Sequence, residues 1–260
     1  MNFMPLAMNT LKESIRDKLL YVILFFALLM IGSGVILSAL SLNQQTRIVM
    51  DLGLSSISIF GLIITVFVGT SLVSKEVDKK TIYLLLSKPL RRRDFILGKF
   101  LGLSFTLFII FAAMAACFYG VLAYHEGFDL TALMPLIPGT ATTLLLIYVE
   151  ILLLIAAAIF FSTFATPVMS AMFTLSLYVI GHASNDILTF ARANNGGMVE
   201  KFMEVLFLVL PDLERLNLKN TFLLEGALNQ ELISASLTYG LLYVIALLLL
   251  SILVFEGKEF

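Results

Sequence analysis

Long apolar runs separated by short polar stretches dominate the pattern along this chain. A helix needs about 20 apolar residues to cross the ~30 Å hydrocarbon core of a bilayer. That window fits six times, at Leu19–Leu42, Leu54–Val73, Phe95–Tyr124, Leu133–Phe164, Pro167–Ile187 and Leu232–Phe255. The fourth run exceeds what a perpendicular span requires, so it predicts a tilted helix or one that continues past the bilayer. Pro167 predicts a tight hairpin between the fourth and fifth spans, because proline is accepted in a helix's first turn and disfavours helix in the residue before it. Ahead of the first span, Met4, Ala7, Met8, Leu11 and Ile15 recur at helical spacing, with Asn9, Lys12, Glu13, Arg16 and Asp17 on the other positions. Residues 1–18 therefore read as an elbow helix lying in the membrane interface; the alternative is a plain cytosolic extension of the first span.

Composition supports lipid as the solvent. Of the 260 residues 60% are hydrophobic and 13% charged, against roughly 45–50% and about 25% in soluble domains. Barrel strands would be ~10 residues long and alternating, so the expected class is all-α, a single transmembrane domain spanning residues 1–260. The first apolar run is longer than a signal-peptide core and no convincing small-residue cleavage site follows, so it is read as retained. A formal net charge of -1 argues against a nucleic-acid partner. With Cys117 the single cysteine and His125 and His182 the only histidines, no internal disulfide and no metal cluster are expected.

Six spans place both termini on one side with the second-to-third and fourth-to-fifth connections. That side carries Lys12, Arg16, Lys18, Lys75, Lys79, Lys80, Lys88, Arg91, Arg92, Arg93, Lys99 and Lys258; the other carries only Arg47, Arg192, Lys201, Arg215 and Lys219. Because basic residues collect on the cytoplasmic side, the termini are expected in the cytoplasm, in a plasma membrane or bacterial inner membrane. The opposite side is rich in acid, which adds little to orientation.

Charge is densest at residues 74–94, between the second and third spans. Lys75, Glu76, Asp78, Lys79 and Lys80 precede an apolar stretch, Pro89 breaks helical geometry at Lys88, and Arg91-Arg92-Arg93-Asp94 leads into the third span. A short helix parallel to the membrane fits this pattern and could pass a push from a cytosolic partner to both spans. A solvated, topology-fixing loop fits it too. The order Glu76, Thr81, LLLSKP at Leu84–Pro89 and RRRDFILGK at Arg91–Lys99 resembles the signature of ATP-binding-cassette type-2 permeases. Lys80 stands where that family often has glycine.

The resemblance implies that residues 74–94 form a coupling helix seated on an ATPase subunit, contacted through Glu76 with Lys75, Asp78, Lys79, Lys80 and Thr81. It also implies two ATPase subunits, a second permease copy or paralogue, and an export function. The chain shows no motor of its own. A phosphate-binding loop needs G-x-x-x-x-G-K-[ST], whereas Gly98-Lys99 is followed by Phe100 and has Arg93 at the first glycine position. Cofactors are accordingly expected in the partner, which would bind ATP and Mg.

Within the membrane, Glu150 interrupts LLLIYVEILLLIAAA. An ionised carboxylate there costs at least about 2.5–3.5 kcal/mol, so it must be neutralised, hydrogen-bonded or wet. It is a candidate for the translocation path, or a packing hydrogen bond. His182 and Asp186, at i,i+4 on the fifth span, could face each other in the path or simply form a solvated cap. Gly34 and Ser38 give the first span a small-residue face suited to close helix contact. The resembled family builds its dimer interface from the first and fifth spans, which makes these two residues interface candidates. Residues 188–231 contain Asn194-Asn195-Gly196-Gly197, a VLFLVL run too short to span, and Pro211. They resemble the family's re-entrant outer helices, an extracytoplasmic lid; an interfacial helix without gating role is the alternative.

Other classes fit less well. H-E-x-x-H and G-x-S-x-G motifs are incomplete and paired intramembrane aspartates are absent from the sequence, which disfavours a protease. A proton-coupled carrier using Glu150 is the stronger rival, although internal repeats are not visible. A membrane anchor or scaffold subunit would share the docking stretch.

Overall fold

The computed structural model describes residues 3–39, 44–70, 92–193, 210–219, 222 and 229–257. Lys75, Glu76, Asp78, Lys79, Lys80 and Thr81 of the expected coupling segment lie outside the described residues. So does most of the expected lid. The described residues are almost wholly helical, without a strand.

The first helix, α1 (Phe3–Ile15), has the amphipathic spacing expected of the elbow. Asp17 then caps α2 (Lys18–Ser38), its carboxylate accepting the Leu19 N–H at 3.0 Å and satisfying one orphan donor of the first turn. The next helix, α3 (Gln45–Ile64), begins well before the expected Leu54. Its first turns are amphipathic rather than apolar, and Val49, Met50 and Gly53 are nonetheless buried, a pattern that a purely apolar window passes over. The helix continues through a π-turn, Thr65–Gly69, where the side chains of Thr65 and Thr70 bond back to the carbonyls of Gly61 and Val66 at 2.8 and 2.6 Å.

The third apolar run becomes α4 (Arg92–His125). A single turn, α5 (Leu130–Leu133), takes only Leu133 from the expected fourth run, and most of that run is one helix, α6 (Ile137–Ser162). Pro135 falls in the intervening turn and Pro138 in the first turn of α6, where a missing N–H costs nothing. As the sequence predicts, Pro167 opens α7 (Pro167–Ala193) after a short turn. Asn229 caps α8 (Gln230–Glu256) by accepting the Glu231 N–H at 3.0 Å.

Five of these helices are long and apolar enough to cross a membrane: α2, α3 with its π-turn, α4, α6 and α8. The sixth expected span, α7, has 27 residues, about 40 Å at 1.5 Å per residue. Its apolar character is diluted by Ser170, Thr174, Ser176, His182 and Ser184. Burial sorts the helices. In α6 and α3 most of the spanning window is buried, 72% and 67%, against 22% in α2 and α8. The centre is therefore α6, whose Leu153–Ile159 stretch is buried all round among α3, α4, α7 and α8, while Phe25, Leu29, Leu242 and Leu249 of the outer helices remain exposed, as lipid-facing side chains do.

Candidate functional site

The hairpin of α6 and α7 brings two of the expected path residues together. Glu150 and His182 lie equally far along the chain from Thr166 in the turn, and in an antiparallel hairpin such residues come level. Glu150 Oε1 lies 3.5 Å from His182 Nε2, an ion-pair distance longer than a well-made hydrogen bond. The glutamate side chain is 4% exposed and the imidazole 21%, so His182 is the member of the pair that meets accessible space. The other ring nitrogen, Nδ1, lies 3.2 Å from the Tyr178 carbonyl oxygen, and the Tyr178 ring packs on the imidazole at 4.4 Å.

The expected facing of His182 and Asp186 does not occur. Both imidazole nitrogens have other neighbours, and Asp186 is exposed. A buried carboxyl on the adjacent helix outcompetes a solvated one on the same helix, because the buried group has no water to fall back on. Gly34 and Ser38 lie on the side of α2 that faces α3 of the same chain. A Cβ at Gly34 would sit 3.7 Å from Val49 Cα, and Ser38 is buried. What α2 leaves uncovered is an aromatic and aliphatic surface including Tyr21, Phe25 and Ile36.

Above the pair, residues 210–219 are sunk into the bundle as a short 3₁₀ turn, Leu213–Leu216. Lys219 and Glu214 lie within electrostatic reach of Glu150. The Lys219 ammonium donates to Ser55 Oγ at 3.4 Å, and Ser55 in turn donates to Asp51 at 3.4 Å. The segment is clasped through Asp212, which is 3% exposed. The Asp212 carboxylate accepts from Ser184 Oγ at 3.0 Å and from Arg215 Nε at 3.1 Å, and its backbone N–H donates to Tyr239 Oη at 2.7 Å. Ser236 donates to the Arg215 carbonyl at 2.7 Å, and the Arg215 guanidinium lies over the Tyr239 ring at 5.1 Å. Two glycines allow this close seat. A Cβ at Gly181 would come 2.7 Å from Leu213 Cγ, and one at Gly240 would come 2.6 Å from Val149 Cγ1 and 3.1 Å from Leu216 Cδ2. Gly240 lies about 15 Å from the start of α8 at 1.5 Å per residue, so the plug reaches deep toward the level of Glu150.

The clasp was not among the residues singled out in the sequence, although the i,i+3 spacing of Asp212 and Arg215 just after an apolar run is a usable signal. Among the described residues there is no cluster of three or more His, Cys, Asp or Glu able to hold a metal.

A family model described as "ABC-2 family transporter protein" matches residues 4–260. The chain belongs to the ABC-2 transporter family. A comparison with curated proteins finds no match. As an ABC-2 permease it is the membrane component of an ABC transporter rather than its ATPase, and the family implies partnership with an ABC ATPase subunit. The Glu150–His182 pair and the clasped plug above it are thus features of a permease's membrane interior.

Proposed function

We propose that this permease is the membrane half of an exporter, driven by two separate ATPase subunits that bind ATP and Mg and dock on residues 74–94, chiefly through Glu76 with Lys75, Asp78, Lys79, Lys80 and Thr81. Six spans, α7 included, hold both termini in the cytoplasm. A second copy or a paralogue completes the pathway. Pairing engages the first and fifth spans through the uncovered face of α2 rather than through Gly34 and Ser38, which face α3 of the same chain. The observation that carries the reading is the match to the ABC-2 transporter family over residues 4–260; the Glu150–His182 contact at 3.5 Å, a costly polar pair beneath a buried plug, marks where a gated polar path would run.

ATP-driven closure of the ATPase pair would press the docking segment, turn the spans it joins, and free the plug so that the space beside His182 opens outward. His182→Cys in a Cys117→Ser background tests this in vesicles containing the permease and its ATPase. ATP should raise labelling of the new thiol by an outside-added, impermeant maleimide several-fold. Equal labelling with and without ATP would contradict it.

A further inference from the structure

A groove runs between α1 and α4 at the foot of the bundle, and its walls are almost entirely apolar. Small residues create it. Gly102 of α4 comes so close to α1 that a Cβ there would lie 2.6 Å from both the Ala7 carbonyl oxygen and Thr10 Cβ. With the two backbones this near, the larger side chains on either side overhang. Met4, Met8 and Leu11 form one wall and Leu101 and Phe105 the other, over Gly102. The space is about 610 Å³, within the ~300–1,000 Å³ range of sites that hold small ligands. Met4, Met8 and Phe105 are 68%, 55% and 59% exposed, so α4 alone does not cover this face.

Charge identifies the occupant. Around the circumference of α1, Ala7, Thr10 and Ser14 are buried, Met4, Met8 and Leu11 follow, and exposed Lys12 comes next, with exposed Arg16 in the turn after the helix. The two cations border the apolar face on the side away from α4. Of the nearby acids, Glu13 lies about 100° further around α1 from Lys12, away from the groove and i,i+3 from Arg16, and Asp17 caps α2 at 3.0 Å beyond the end of α1, so Lys12 is the charge nearest the groove. An adaptable apolar channel with methionine walls, edged by two cations, fits a phospholipid whose acyl chain fills the groove and whose anionic headgroup meets Lys12 and Arg16.

We infer that the α1–α4 groove is a binding site for an anionic phospholipid of the cytoplasmic leaflet. The leaflet rests on the topology proposed above; the lipid chemistry does not. The bound lipid holds the elbow against the base of α4, the helix that follows the 74–94 segment.

The chain contains no tryptophan, so Phe105→Trp supplies a single fluorophore in the groove wall, and Phe26→Trp supplies one on the lipid-facing surface of α2. The permease alone is reconstituted with phosphatidylglycerol or phosphatidylcholine carrying brominated acyl chains that quench tryptophan. At Phe105→Trp, brominated phosphatidylglycerol should quench at a several-fold lower mole fraction than brominated phosphatidylcholine. Lys12→Gln with Arg16→Gln should abolish that preference, and Phe26→Trp should show none. Equal quenching by both lipids at Phe105→Trp, meaning unselective surrounding lipid, would overturn the site. Absence of quenching, meaning that protein covers the groove, would overturn it too. No ATPase is present in the measurement, so its failure and the failure of the transport reading are separable.

Discussion

Glu150 Oε1 of α6 lies 3.5 Å from His182 Nε2 of α7, level across the hairpin that Pro167 begins. Removing one partner differs from removing both. His182→Ala leaves a buried carboxyl without its nearest polar neighbour and should cost about 1–3 kcal/mol, whereas Glu150→Met with His182→Leu should cost markedly less, since the unpaired group is then gone. Thermal unfolding in detergent measures both. If the double substitution is as damaging as the single one, the pair is not a coupled unit.

The Asp212 clasp predicts accessibility. Leu213 is fully buried beside Gly181, so a cysteine at Leu213 in the Cys117→Ser background should resist a polar maleimide. Adding Asp212→Ala removes the acceptor of Ser184 and Arg215 and should speed labelling several-fold. Labelling unchanged by Asp212→Ala would mean that apolar packing alone seats the plug.

Glycines sort by their surroundings. Gly32→Ala and Gly120→Ala meet nothing within 4 Å and should be neutral or stabilising by about 0.4–1 kcal/mol. Gly240→Ala presses on Val149 and Leu216, and Gly53→Ala overlaps the Phe118 ring; each should cost about 1–3 kcal/mol. Unfolding midpoints of the four variants rank them directly.

Outside the spans, Asp129 caps α5, accepting from the side chain and backbone N–H of Thr131 at 2.8 and 2.9 Å. The Thr131 side-chain bond, with the backbone bonds, holds its carboxyl below the usual value. A depressed folded value means that the cap's contribution is fully present above the ordinary carboxylate range, about pH 4, and is lost only as pH falls through the lower folded value. Thr131→Val should shift the Asp129 titration, followed by carboxyl NMR, upward. A titration that stays put would remove Thr131 as the cause.

Much of the fold was legible because lipid imposes one simple demand, a long apolar helix, and five runs meet it. The places where sequence and structure part have particular causes. The start of α3 is amphipathic, so an apolar window misses it. Pro135, in the turn before α6, delays the start of a run that composition alone begins at Leu133. Each of Glu150 and His182 stands out singly as a polar residue in apolar surroundings. Their meeting depends on the register of a hairpin, and that register could have been read by counting outward from Thr166. The clasp joins Asp212 to Ser184 and Tyr239, residues distant in sequence and ordinary by type. The i,i+3 spacing of Asp212 and Arg215 signals their own pair, but no spacing announces the contacts to Ser184 and Tyr239.

The central claim is that this permease is moved by a separate ATPase seated on residues 74–94. The most direct measurement is purification of the tagged protein from its native membrane in mild detergent, beside a Glu76→Lys variant, with identification of the proteins that accompany each. A soluble ABC ATPase that travels with the wild type and is lost from the variant, both remaining monodisperse, is the predicted result. Equal recovery of the ATPase with Glu76→Lys would contradict the docking site. Recovery of a folded, monodisperse wild type with no ATPase would contradict the ATP-driven mechanism and favour a proton-coupled carrier centred on Glu150.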